Sequence, residues 1–210
     1  MDQFASWVLN NADGAAIYET NLQTAVTELE HWTNNLPNRM QWSLANYRSH
    51  KALGQGNQYI SLHMVLLHGR CMSQQGYLPF MDILEPWSES ATTAATTCQQ
   101  CADQILNIVE TLDAGDDADK ANLCSPFSGL AITCAAFTYV WALHAHSASD
   151  IGEGIAADSN NHDYQAQVSG LKDILLAWET TWKIARSWLE RLVQVLTLIS
   201  TFECISFAMF

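Results

Sequence analysis

The chain has 210 residues, with 22 acidic against 9 basic side chains, a formal net charge of −13 and a pI near 4.7. Hydrophobic residues make up 49 % and charged ones only 15 %, well under the roughly 25 % of an average soluble domain, which excludes a disordered chain and a coiled-coil rod. Nine scattered basic residues form no patch for gripping phosphates, and 4 Pro with 10 Gly give too little punctuation for an all-β fold.

Ile17, Leu22, Ala25, Val26, Leu29 and Trp32 recur mainly at three- and four-residue spacing, which predicts a first helix. Pro37, inside the turn-like Asn34-Asn35-Leu36-Pro37-Asn38, ends it. A second helix is predicted from Tyr59 to Met72. There Ile60, Leu62, Met64, Val65, Leu66 and Leu67 leave almost no polar face, the pattern of a helix in the middle of a bundle. A loop from Gln74 to Trp87 follows, marked by Gly76, Pro79 and Pro86. The third helix carries Cys98, Cys101, Ala102, Ile105, Val109 and Leu112 as one stripe and stops at Gly115 within the acidic run Asp113, Asp116, Asp117 and Asp119. The fourth opens at Ser125-Pro126, a capping residue before a proline at the first helical position. Its stripe is Phe127, Leu130, Cys134, Phe137, Trp141 and His144, and a polar loop from Ser147 to Asp163 closes it. The fifth runs from Tyr164 through Val168, Leu171, Leu175, Trp178, Trp182, Ala185, Leu189, Leu192 and Leu196. That is too long for one globular helix, so a break is expected within it. No stretch alternates with period two. The expectation is an all-α fold, a single irregular multi-helix bundle with residues 1–210 as one domain.

Met1-Asp2-Gln3-Phe4 puts an acid where a secretory leader has basic residues, and no apolar run of leader length follows. The six cysteines are therefore expected as reduced thiols, and the chain as soluble and intracellular. The apolar stretch from Leu192 to Phe210 approaches the length of a minimal membrane span. Gln194 and Glu203 within it, and no basic flank after it, favour a buried C-terminal helix and no membrane contact.

The chemistry-bearing motifs are few. Cys98-Gln99-Gln100-Cys101 has the spacing of half a zinc site, but Cys124 and Cys134 are ten apart on another helix and both CxxC sulfurs lie on an apolar stripe, so they are expected as small core residues. His63 and His68 differ by five positions and His144 and His146 by two, so neither pair shares a helix face as zinc ligands at i, i+4 do. Gly54-Gln55-Gly56 begins like a dinucleotide fingerprint, yet the third glycine position is Tyr59 and no strand precedes it. The run from Asp113 to Asp119 lacks the alternating oxygens of a calcium loop and reads as a solvated turn. No catalytic, cofactor-binding or metal-ligating residue is assigned, and the chain is expected to be no enzyme. Eight Trp are many for this length. Trp178, Trp182 and Trp188 lie along the last helix, the first two on one face, while Trp141 lies on the fourth. Trp141, Trp178 and Trp182 are the candidate effector or partner face, the alternative being plain bundle core.

Taken in order, these segments resemble the second half of the fungal-specific transcription factor domain, the middle homology region of fungal binuclear zinc-cluster regulators. The likeness rests on Trp32 with Leu36-Pro37, Trp42-Ser43, Ser61-Leu62-His63-Met64 and Tyr77-Leu78-Pro79-Phe80. It continues with Cys98, Cys101-Ala102 and Ile105, then Ser125-Pro126-Phe127-Ser128-Gly129, and finally Leu171, Trp178, Trp182 and Ala185. It spans about residues 20–195. The resemblance implies a nuclear regulatory domain that restrains or transmits transcription activity, senses small-molecule effectors, and meets a second copy or transcription-machinery proteins. Members carry an upstream six-cysteine cluster that binds zinc and reads DNA. This chain has one CxxC and no basic flank, so no zinc or DNA-contact residue carries over, and zinc is implied only with an upstream cluster. Two other readings stand beside it: a stand-alone helical ligand- or protein-binding module, and an enzyme built on His63, His68 or the Asp113–Asp119 run.

Overall fold

The computed structural model describes residues 24–78, 89–149 and 164–208, except for the side chains of 90, 146–149, 195–196 and 198–208. Among the described residues there is no strand, and the fold is all-α. The backbone divides into two compact units, residues 1–41 and 42–210.

In the first unit residues 24–34 form helix α1. The Thr33 hydroxyl donates to the Leu29 carbonyl at 2.7 Å and the Asn35 side chain to that of His31 at 2.7 Å, closing the last turn. Pro37 caps a short 3-10 turn, Asn38–Met40, so the helix ends where the proline predicts.

The second unit holds seven described helices: α2 (Leu44–Ala52), α3 (Gly56–Gln75), α4 (Glu89–Asp113), α5 (Asp117–Leu123), α6 (Pro126–Ser149), α7 (Tyr164–Trp178) and α8 (Lys183–Ala208). Ser43 caps α2 by accepting from the Asn46 N–H at 3.1 Å. Gly54, at φ 73°, ends it: its N–H bonds the Lys51 carbonyl and that of Gln55 the His50 carbonyl, the left-handed closure that a Cβ disfavours. The first glycine of Gly54-Gln55-Gly56 is therefore a helix stop, and the second lies under Asn122, where a Cβ would sit 2.4 Å from the amide nitrogen.

The centre of the bundle is α6, which packs against α3, α4, α7 and α8. Ala131, Ile132, Ala135, Ala136, Tyr139, Val140 and Ala142 are buried all round it, and the alanines let neighbouring helices approach closely. It is long and apolar enough to cross a membrane, but 72 % of its apolar window is buried among the other helices, as in a core helix. The second predicted helix, α3, also packs against four others, α2, α4, α5 and α6, and leaves Val65 and Met72 exposed at 44 % and 52 %, while on α6 the stripe residues Phe127 and Leu130 are exposed at 52 % and 40 %.

Two helices escaped the periodicity, α2 and α5, and so did the start of α4, nine residues before Cys98, where the described side chains that are buried are Ala91, Ala94 and Ala95. The break expected in the fifth segment falls at residues 179–182, with Glu179 and Arg186 paired across it. In the C-terminal stretch Leu192 is buried but Val193 is 49 % exposed, and α8 continues to Ala208; the burial expected at 195, 196 and beyond Thr197 falls on side chains outside the described residues. The loop expected from Gln74 to Trp87 lies largely outside them as well: α3 runs on to Gln75, and nothing from 79 to 88 is described.

Candidate functional site

The Ser125-Pro126-Phe127-Ser128-Gly129 segment shows how local sequence builds one end of α6. Ser125 Oγ accepts from the Ser128 N–H at 3.1 Å, and Pro126 occupies the first helical position. Gly129 is flat against the Trp188 ring of α8, where a Cβ would meet Cζ3 at 2.0 Å. At the same end the Trp182 indole N–H donates to Cys124 Sγ at 3.2 Å. Trp178 is buried in the last turn of α7 and Trp188 in α8, with Trp182 half-buried between them. Trp141 is 4 % exposed and lies twelve residues beyond Gly129 on α6, about 18 Å along the axis at 1.5 Å per residue. Trp178 and Trp182 thus share an end of α6, and Trp141 sits in the core well away from it. Trp188, outside the candidate face, covers Gly129 of α6, and no motif in the sequence signals it.

A second cluster was invisible to motif reading. Lys51 of α2 pairs with Asp116 at 2.7 Å and Asp119 at 2.6 Å, and the Tyr47 hydroxyl donates to Asp119 at 2.6 Å. Asn122 donates to the same hydroxyl at 3.1 Å. Asp116 and Asp119 also form the capping box of α5, so the acidic run, exposed from 113 to 118 as a solvated turn should be, also ties α5 to α2. Burial, then the hydrogen bond to Asp119, pushes Tyr47 up to about 12. The hydrogen bond from Lys51 holds Asp116 below the usual carboxylate range. Burial would raise Asp119, but Lys51 and Tyr47 outweigh it and the net direction is down.

His63 is buried edge-on to Tyr59 at 4.7 Å and to Trp42 at 5.6 Å, and His50 stacks on Tyr59 at 4.6 Å. Trp42-Ser43 and the run around His63, separate in sequence, therefore join one aromatic cluster across α2 and α3. His68 is lowered by burial. Cys98 and Cys101 are buried as their stripe predicts, beside Cys71 of α3 and Cys134 of α6. Among the described residues no group of three or more His, Cys, Asp or Glu is placed to hold a metal ion.

Over 88 residues, 40 % of this chain, the sequence is 31 % identical to an uncharacterized transcriptional regulatory protein of Schizosaccharomyces pombe. The matched stretch is 11 % of that protein's length, so the chain corresponds to a small part of it. No protein-family model matches the chain, and no solved structure does. The similarity is to a regulator of transcription, at that level of detail.

Proposed function

We propose that this chain is a non-catalytic regulatory domain of a fungal transcription regulator. It works in the nucleus through intramolecular, partner or effector contacts, with base recognition supplied by a zinc-cluster module outside these 210 residues. The observation that carries the reading is the similarity over 88 residues to a transcriptional regulatory protein. The all-helical bundle and the net charge of −13 agree with it, since an acidic body disfavours unspecific contact with phosphate and leaves DNA to a separate basic module. Its partners in this reading are a second copy, transcription-machinery proteins or a small-molecule effector, and it needs no cofactor of its own. Trp178 and Trp182, at one end of α6, are the first residues to test for effector or partner contact. Such control requires that the ligand or partner bind one arrangement of the helices better than another.

The test places the full chain between a heterologous DNA-binding domain and a heterologous activation domain in a reporter strain. The folded chain is expected to change reporter output several-fold relative to an inert helical insert. An Ile105→Asp variant, which buries a carboxylate at a fully buried core position, should abolish that change. Equal output from folded chain, variant and inert insert contradicts the reading. In that event a small molecule that raises the melting temperature of the isolated chain would instead favour a stand-alone binding module.

A further inference from the structure

Four buried cysteines lie on three helices of one core: Cys71 on α3, Cys98 and Cys101 on α4, and Cys134 on α6. Here α3 and α6 run in the same direction: Asn57 bonds the Asn122 carbonyl and Ser61 meets Ser125 at one end, while Gln75 reaches Cys134 and Thr138 at the other. One side-chain amide, that of Gln75, donates to Cys71 Sγ at 3.7 Å and to Cys134 Sγ at 3.3 Å. Thr138 Oγ1 lies 3.4 Å from Cys71 Sγ. Cys98, by contrast, turns its thiol toward the Cys71 carbonyl at 3.5 Å. A cysteine that only fills space needs no polar partners, whereas these two sulfurs share the Gln75 amide and Cys71 meets the Thr138 hydroxyl besides. Gln75 is itself only half-buried, while Cys71 and Cys134 are 0 % and 3 % exposed.

We propose that Cys71 and Cys134 form an oxidant-sensitive dithiol, which a peroxide converts to a disulfide linking α3 to α6 and a thiol reductant reopens. The Cys71 thiolate attacks one peroxide oxygen, the O–O bond breaks, and Cys71 becomes a sulfenic acid as hydroxide leaves and takes up the Cys71 proton as water. The Cys134 sulfur then attacks the Cys71 sulfur. The S–O bond breaks, and the departing hydroxide leaves as a second water with the Cys134 proton. Two thiols lose two electrons and two protons, and one hydrogen peroxide is reduced to two waters. Cys71 is the attacking sulfur: hydrogen bonds from Cys134 and then Cys98 pull it below the ordinary thiol range against its burial, and the same hydrogen bonds, with burial, push Cys134 and Cys98 up. This chemistry belongs to the fold and stands apart from the regulatory reading.

The test uses the full chain carrying Cys124→Ser and Cys204→Ser, which leaves only the core thiols. Hydrogen peroxide, applied while circular dichroism shows helicity unchanged, is expected to lower the thiol titre by two per chain. Non-reducing peptide mapping is expected to show the Cys71 and Cys134 peptides joined with the loss of two hydrogens, and dithiothreitol to restore both thiols. A Cys71→Ser version should lose no thiol pair under the same dose. Full survival of the thiols in the folded chain overturns the proposal, as does a map that joins Cys71 to Cys98 with Cys134 free. The map of the parent chain decides even if Cys71→Ser does not fold.

Discussion

A Cβ on Gly129 would lie 2.0 Å from the Trp188 ring, with backbone on one side and a large rigid indole on the other. Gly129→Ala therefore has to move Trp188 and is expected to cost about 1–3 kcal/mol, read as a lowered melting temperature. Gly170, inside α7 with nothing within 4 Å of its Cβ position, gives the opposite expectation: Gly170→Ala should stabilise by about 0.5–1 kcal/mol through helix propensity. The glycine was legible as part of a helix start, but its reason was not, because Trp188 reaches it from a helix far along the chain. Tyr47 poses the same problem. Its hydroxyl joins Asp119 and Asn122 through contacts that no spacing announces. Tyr47→Phe is expected to cost about 1–2 kcal/mol by removing those hydrogen bonds. The folded phenol is held up at about 12 against an ordinary 10.0, so its contribution is complete below pH 10 and is lost as pH rises through 12. Denaturation midpoints measured between pH 8 and 12 should fall less steeply in the variant than in the parent.

Helices with large apolar stripes were readable: α3, α6 and the pair α7 and α8 fall where periodicity and the break put them. Those held by small or polar residues were not. The first turns of α4 bury alanines, α2 buries only Tyr47, and α5 is seven residues fixed by a capping box and a lysine from another helix. Periodicity reports large apolar side chains, so it found α3 but gave no sign that the alanine-lined α6 packs against as many helices. For the candidate face, the four-residue spacing placed Trp178 and Trp182 on one helix, whereas α7 ends at Trp178 and Trp182 lies in the break before α8, and the distance to Trp141 depends on how α6 and α7 pack. The α2–α5 clamp carries its own prediction. Asp116 and Asp119 are held below their unfolded values, so each adds stability above the ordinary carboxyl pKa of 3.8 that is lost as pH falls through the folded one. Lys51→Met removes the partner common to both carboxylates. Acid unfolding followed by circular dichroism should show the variant starting from lower stability at neutral pH and losing less on the way to pH 2.

At the scale of the whole molecule, an acidic helical body packed around α6 is placed beside a transcriptional regulatory protein by similarity over part of its length. The proposed role requires the packed fold rather than any single reactive group. Function should therefore follow stability: variants that loosen the core weaken regulation, and those that leave it tight do not. The most direct measurement is the reporter carrying the chain between heterologous DNA-binding and activation domains, run with the parent, Gly170→Ala and Ile105→Asp. The account predicts that the parent and Gly170→Ala shift output equally and several-fold from an inert insert, while Ile105→Asp matches that insert. Identical output from all of them, with the parent shown to be folded and present at equal amounts, would contradict it.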